Sequence, residues 1–232
     1  MGDSMPNRIL PFDFANRLMR PGIAEHRCPR CEIRKPLCFC KWIPKITLQT
    51  RVMILMHTFE EPLTTNTAKL ANKALTNSEI QIHGKRDERL SPESLHLPGM
   101  TSLLLYPSPN AIELTPEFAA ALTAPVLLIV PDANWRQTTK FMRREPALVG
   151  IPRVKLSAGP PSEYYLRTQR NETGVCTLEA IARAIGVLES REAQEQLEQV
   201  MRIMVERTLW SKGKLPAEQC IHSGIPAEAR KH

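Results

Sequence analysis

Apolar residues along the chain fall into short runs separated by polar segments. The strongest is Val126-Leu127-Leu128-Ile129-Val130, five consecutive aliphatic residues, which predicts a buried strand. Weaker runs predict strands at 50–56, 79–83, 102–106 and 153–156. Between them apolar positions recur at helical spacing. Residues 65–76 place Leu70, Ala71, Ala74 and Leu75 on one face. Residues 116–122 carry Pro116 in the first turn, where proline fits. Further helices are predicted at 135–144, 177–189 and 191–209, although Gly186 weakens the first of the last pair. A short helix is expected at 12–19 within a polar start, and an irregular tail after Ser211, where Gly213, Pro216, Gly224 and Pro226 cluster. Strands alternating with helices predict an α/β fold with a parallel-rich sheet.

In such sheets ligands sit outside the carboxyl ends of the strands. Three predicted strands end in polar, proline-rich corners. These are Leu105-Tyr106-Pro107, Val130-Pro131-Asp132, and Leu156-Ser157 running on to Ser162. Asp132 and Trp135 stand where a site would be. The plainer reading makes Asp132 a cap for the next helix and Trp135 core filler.

The chain has 232 residues, enough for one domain with a small appendage. Its net charge of +7 suggests a polyanionic partner, most often nucleic acid, though a mildly basic enzyme would look the same. The basic residues are dispersed, and only 5% of the chain is aromatic, so aromatics among the basic residues look scarce. That weakens a reading as a single-strand stacking platform. No stretch reaches the roughly 20 apolar residues of a membrane span, and the start has no signal-peptide pattern, so a cytoplasmic location is expected.

In that compartment six cysteines imply metal or free thiols rather than disulfides. Cys28-Pro29-Arg30-Cys31 and Cys38-Phe39-Cys40 lie close together. Four thiolates at about 2.3 Å would close a tetrahedral structural zinc site. A redox pair or an iron–sulphur cluster are the alternatives. Cys176 and Cys220 read as ordinary thiols. The expected organisation is a segment over 1–24, a four-cysteine zinc module over 25–46, a main domain over 47–210 and a tail over 211–232.

Asp132-Ala133-Asn134-Trp135 resembles the Asp-x-Thr-Trp signature of the DTW-domain family. Tyr106-Pro107, Tyr164-Tyr165-Leu166-Arg167 and Cys176-Thr177-Leu178-Glu179-Ala180 match further family motifs. So do His57-Thr58-Phe59-Glu60, Asn66-Thr67 and the cysteine cluster. The resemblance spans about residues 25–210. Asn134 and Cys176 depart from the family's usual Thr and Ser.

The resemblance implies a SPOUT-like fold whose C-terminal part is trefoil-knotted, and activity as a tRNA-uridine aminocarboxypropyltransferase. S-adenosylmethionine would give its 3-amino-3-carboxypropyl group to N3 of a uridine, in the variable loop for bacterial relatives. A SPOUT-like RNA methyltransferase and a non-catalytic zinc-knuckle RNA-binding protein are the alternatives. Asp132 would take the imide proton or only orient the imide. Leu105, Tyr106, Pro107, Val130, Pro131, Trp135, Leu156, Ser157, Ser162, Tyr165, Leu166 and Thr177 would hold the cofactor. His57, Glu60, Asn66, Arg136, Arg143, Arg144 and Arg167 would face tRNA or the transferred group. Asn66 and Thr67 read equally as helix-start residues, Glu179 as a helix cap, and Arg136 and Arg167 as partners of a nearby Glu. Cys28, Cys31, Cys38 and Cys40 would bind zinc.

Overall fold

A computed structural model describes residues 24–85, 90–166 and 174–231. The predicted helix at 12–19 and Arg167 lie outside the described residues. The runs of aliphatic residues form β1 (Arg51–His57), β2 (Ser78–His83), β3 (Thr101–Leu105), β4 (Ile112–Leu114), β5 (Val126–Asp132) and β6 (Arg153–Leu156). The helices are α1 (Thr67–Ala74), α2 (Pro92–Leu95), α3 (Pro116–Ala120), α4 (Trp135–Arg144), α5 (Thr177–Leu188) and α6 (Arg191–Ser211). Among the described residues the strands form one sheet, in the order β2-β1-β5-β3-β6-β4, and every pairing is parallel. No described helix is long and apolar enough to cross a membrane.

A parallel sheet is buried on both faces, which is why its strands read as continuous apolar runs. Along β5, Val126, Leu128 and Val130 face a large core shared with α1, α5 and α6. Leu127 and Ile129 face a smaller core with Leu95, Met142 and Leu148. The cysteine-rich segment joins the larger core through Leu37 and Phe39, 2% and 1% exposed. Buried Arg207 on α6 clamps that segment by donating to the carbonyls of Leu37 and Cys38 at 2.9 and 2.6 Å. Gly186 does not interrupt α5, which runs through it to Leu188, and it faces Gln194 of α6. A Cβ there would lie 1.9 Å from Gln194 Oε1 and 3.2 Å from Gln194 Cβ, so a larger residue would require the Gln194 side chain to move.

β4 and α2 are too short to show a period in the sequence. β5 also runs further than its apolar run suggests, through Pro131 and Asp132. Its pairing with β3 stops at Leu104↔Ile129, while its pairing with β1 continues to Met56↔Asp132. The sheet therefore opens between β3 and β5 at their carboxyl ends. β5 and β6 each enter between strands laid down earlier, so this opening lies where the strand order switches.

Candidate functional site

A cavity of about 800 Å³ fills that opening. Its floor is the strand ends Leu105-Tyr106-Pro107, Val130-Pro131 and Lys155-Leu156. The loop from Ser157 to Pro161 and one stripe of α5, Thr177, Ala180 and Arg183, wall it. Trp135 and Thr138 of α4 complete the rim. The three corners singled out in the sequence thus converge, and nine of the twelve predicted cofactor contacts line one space. The other three do not. Ser162 donates its hydroxyl to Glu179 at 2.6 Å, Tyr165 is 68% exposed, and Leu166 packs against the main core.

Asp132 lies just behind the cavity wall and is 5% exposed. Asn66 Nδ2 donates to its Oδ2 at 2.7 Å, and Thr177 Oγ1 donates to its Oδ1 at 2.6 Å. Asn66 is the N-cap of α1, where its Oδ1 accepts from the Lys69 N–H at 2.9 Å. Thr177 is the first residue of α5. The carboxylate is therefore held by the starts of two helices, whose N-terminal ends carry partial positive charge. Of these two partners, only Thr177 also lines the cavity. Asp132 does not cap α4; Asn134 does, accepting from the Gln137 N–H at 3.0 Å. Glu179 caps α5 through the Cys176 N–H at 2.8 Å. It also fixes the loop after β6 by accepting from the Glu163 N–H at 2.7 Å. Tyr164 pins that loop across the site, donating to the Thr65 carbonyl at 2.9 Å.

His57 does not join Asp132. Strand residues alternate in direction. Met56 pairs with Asp132 and shares its face, so the next residue, His57, points to the other side of the sheet. There its Nδ1 accepts from the Phe59 N–H at 3.2 Å. Its ring meets His83 edge-on at 5.3 Å, and His83 stacks on Phe141 at 3.7 Å. Burial holds His57 below the usual histidine pKa, with Glu60 pulling it up and Lys140 pushing it down. Burial and the neighbouring His57 bring His83 to about 4, against a pull upward from the Leu55 backbone. Glu60 is buried beside this cluster.

Arg136, Lys140, Arg143 and Arg144 are exposed on α4 and, with Trp135 and Thr139, line a shallow groove of about 440 Å³. None of the four cations forms an ion pair among the described residues. Trp135 belongs to both spaces and lies 6.4 Å from the Tyr106 ring. Aromatics do accompany basic residues on the surface, contrary to the sequence reading. Trp135 is 48% exposed beside Arg136, and Trp42 is 43% exposed with Lys41 over its ring at 5.3 Å. Each aromatic is single in sequence, so no local cluster announced it.

The four thiols of Cys28, Cys31, Cys38 and Cys40 lie within 4.8 Å of one another. Their closest sulphur pairs are 3.4, 3.5 and 3.7 Å apart. A tetrahedron with about 2.3 Å metal–sulphur bonds has edges of about 3.8 Å, so the donor set fits one thiolate-bound ion. Burial opposes ionisation of Cys28, yet the N–H groups of Cys31 and Arg30 and the adjoining thiols bring it down to about 7. Burial pushes Cys31 up to about 11. A shared cation is what allows all four to be thiolates together.

Beneath this cluster Glu32 adopts φ 61°, the left-handed region that glycine usually occupies. Its buried carboxylate accepts from Lys69 Nζ at 2.6 Å and Lys73 Nζ at 3.0 Å. Sequence reasoning missed this triad, along with Lys155 and Arg183 in the cavity. The spacing Thr177, Ala180, Arg183 marks one helical stripe, and that stripe was the available signal for Arg183.

The profile of the DTW domain matches residues 25–209. The tRNA-uridine aminocarboxypropyltransferase 2 of Drosophila melanogaster is 30% identical over 182 residues, covering 76% of this chain and 72% of that protein. The same-named protein of Macaca fascicularis is 26% identical over 186 residues, and the match spans 62% of its length. The tRNA-uridine aminocarboxypropyltransferase A of Arabidopsis thaliana is 28% identical over 215 residues, covering 78% of this chain and 81% of that protein. No solved structure matches the chain.

Proposed function

The chain belongs to the DTW-domain family, and from that premise we propose that it is a tRNA-uridine aminocarboxypropyltransferase. The observation that carries the reading is the cavity of about 800 Å³ at the carboxyl ends of β3, β5 and β6, with a buried Asp132 reached through Thr177. S-adenosylmethionine supplies an electrophilic γ-carbon there. N3 of uridine bonds to that carbon, the carbon–sulphur bond breaks, methylthioadenosine leaves, and the N3 proton is released.

The chain's own groups account for the rest. The Tyr106 N–H is taken by the Val154 carbonyl and Pro107 has none, so Tyr106-Pro107 offers carbonyls and Leu156-Ser157 offers backbone groups for an adenine edge, while Val130 and Ala180 offer apolar wall. The Thr177 hydroxyl already donates to Asp132, so its oxygen lone pairs are available to the imide N–H. The imide proton passes to that oxygen as the hydroxyl proton passes to Asp132. In this reading Asp132 acts through Thr177, and Asn66 keeps its carboxylate aimed. Arg136, Arg143 and Arg144 bind tRNA phosphate beside the cavity mouth, and Trp135 stands between groove and cavity. His57 and Glu60 flank that surface from the same face of the sheet as α4, opposite to Asp132.

Zinc is the ion in this reading of the cysteine cluster, since it favours closed tetrahedral thiolate sites. It orders the segment and takes no part in the transfer. The strand order, with β5 and β6 each entering between earlier strands, supports a SPOUT-like C-terminal half, and the trefoil knot belongs to the same reading.

The test is incubation of the purified chain with unmodified tRNA and labelled S-adenosylmethionine, followed by nucleoside mass spectrometry. The expected product is a uridine carrying the aminocarboxypropyl group. A methylated nucleoside would move the chain to RNA methylation, and no modified nucleoside with any tRNA would remove the transferase reading.

A further inference from the structure

Most charged groups inside this molecule have partners. Arg183 is poorly matched. It lies on α5, six residues after Thr177, and lines the cavity. Its Nε is out of contact with solvent and has no hydrogen-bond partner. Its one hydrogen bond among the described residues is a long one, from Nη2 to the Pro161 carbonyl at 3.5 Å. Gly159 lies close against it, since a Cβ there would meet Nη1 at 3.2 Å. Among the described residues the cavity wall carries two cations, Arg183 and Lys155, and no carboxylate.

A buried N–H with no acceptor is costly, and in a side chain that lines a cavity it marks a cation whose hydrogen bonding the chain leaves incomplete. The guanidinium is planar, and its Nη1 and Nη2, beside the cavity residues Gly159 and Pro161, form a fork that matches two oxygens of one carboxylate. Side chains on a helix lean toward its N-terminus, which directs Arg183 back along α5 toward Thr177. The reacting carbon must lie near Thr177, and the carboxylate of the transferred group is only three bonds from that carbon.

We propose that Arg183 is the anchor for the α-carboxylate of the aminocarboxypropyl group. The proposal rests on the transferase reading above. The anchor holds the group by its far end, fixes the γ-carbon toward the uridine, and selects a donor that still has its carboxylate. It makes no contact with methylthioadenosine, so the leaving product is not retained by it.

The test is calorimetric titration of the wild-type chain, Arg183→Met and Arg183→Lys with three probes: S-adenosylmethionine, its decarboxylated form and 5′-methylthioadenosine. Thermal melts establish that each variant is folded. Wild type should prefer S-adenosylmethionine over the decarboxylated form by about 10- to 100-fold, the range of a charge-assisted fork. In Arg183→Met the preference should fall to near unity, with methylthioadenosine affinity unchanged. Arg183→Lys, which keeps the charge and loses the fork, should fall between. If wild type binds S-adenosylmethionine and Arg183→Met keeps the wild-type preference, the anchor is refuted while the transferase reading stands. Loss of tRNA affinity in Arg183→Met, with the preference intact, would likewise refute it and assign the guanidinium to phosphate. If wild type binds none of the three probes, the transferase reading fails and the anchor falls with it.

Discussion

The four-cysteine segment, tied to α1 and α6, and the cavity, walled by α4 and α5, treat polar groups in opposite ways. In the four-cysteine segment each buried charge meets a partner. Glu32 takes both Lys69 and Lys73, and Arg207 takes two carbonyls and Ser223. Around the cavity a donor is left open, as at Arg183 Nε. A polar network that is complete within the chain serves structure; one left incomplete at a concave surface awaits a ligand. Asp132 belongs to both regions, because its partners Asn66 and Thr177 are internal but Thr177 also faces the cavity.

The largest effect should come from emptying the four-cysteine site. Structural thiolate sites contribute on the order of 10 kcal/mol in small zinc domains, and a share of that is expected here. Cys31→Ser, or strong chelation, should lower the melting temperature by more than about 10 °C. Elemental analysis should find one zinc per wild-type chain. A chain that melts unchanged after complete metal removal would show that the segment is held by Phe39, Leu37 and Arg207 alone.

The next effect separates the two roles of Asp132. Asp132→Asn should slow single-turnover transfer by about 10²- to 10⁴-fold, the usual range for a lost proton acceptor. Thr177→Val should cost about as much. If the two form one relay, the double variant should be little worse than either single one. Additive losses would mean that the groups act separately. A drop in melting temperature that explains the lost activity would place Asp132 wholly with the structural network.

Glu32→Gln tests the closed network itself. It leaves two largely buried lysines without their carboxylate, which costs about 3 kcal/mol or more. Calorimetric affinity for S-adenosylmethionine should hold in the protein that remains folded. A shift in that affinity with no change in stability would mean that the two regions are coupled through α1.

A smaller effect should follow pH through His83. Its folded pKa, about 4, lies below the ordinary 6.5, so the folded chain keeps it neutral where the unfolded chain protonates it. The stability it allows is present above about pH 6.5 and is lost as pH falls toward 4. The loss approaches about 3 kcal/mol, from 1.36 kcal/mol per pKa unit. Denaturant melts of wild type and His83→Phe at pH 7 and pH 4.5 measure it. Equal losses in the two proteins would remove His83 as the cause.

The contrast between these regions explains what was legible in the sequence. Strand and helix positions followed from runs and periods, and the cavity at the strand ends followed from Tyr106-Pro107, Val130-Pro131 and Leu156-Ser157. The face on which each side chain lands was harder to see. His57 and Asp132 end neighbouring strands, and only the register Met56↔Asp132 sends them to opposite sides. Glu32 was invisible because a left-handed position beside a cysteine pair suggests glycine, and the reason for glutamate lies in Lys69 and Lys73, 37 and 41 positions away. Arg183 looked like any exposed helix cation until α5 was placed against the cavity.

The smallest effect per residue should come from the surface of α4. Arg136, Arg143 and Arg144 are exposed, so replacing all three by Ala should leave the fold and S-adenosylmethionine binding intact. Each phosphate contact adds about 0.9 to the slope of log affinity against log salt. The triple variant should therefore bind tRNA about 10- to 100-fold more weakly at low salt, with a slope shallower by about 2 to 3. The two quantities must move together, because the same released counterions set both. Weaker binding with an unchanged slope would mean that the arginines act through shape or through Trp135. Unchanged binding would move the tRNA surface elsewhere, and Lys41 over Trp42 on the four-cysteine segment would be the next place to look. That outcome would also blur the contrast drawn above, since the region complete within itself would then be the one that meets the nucleic acid.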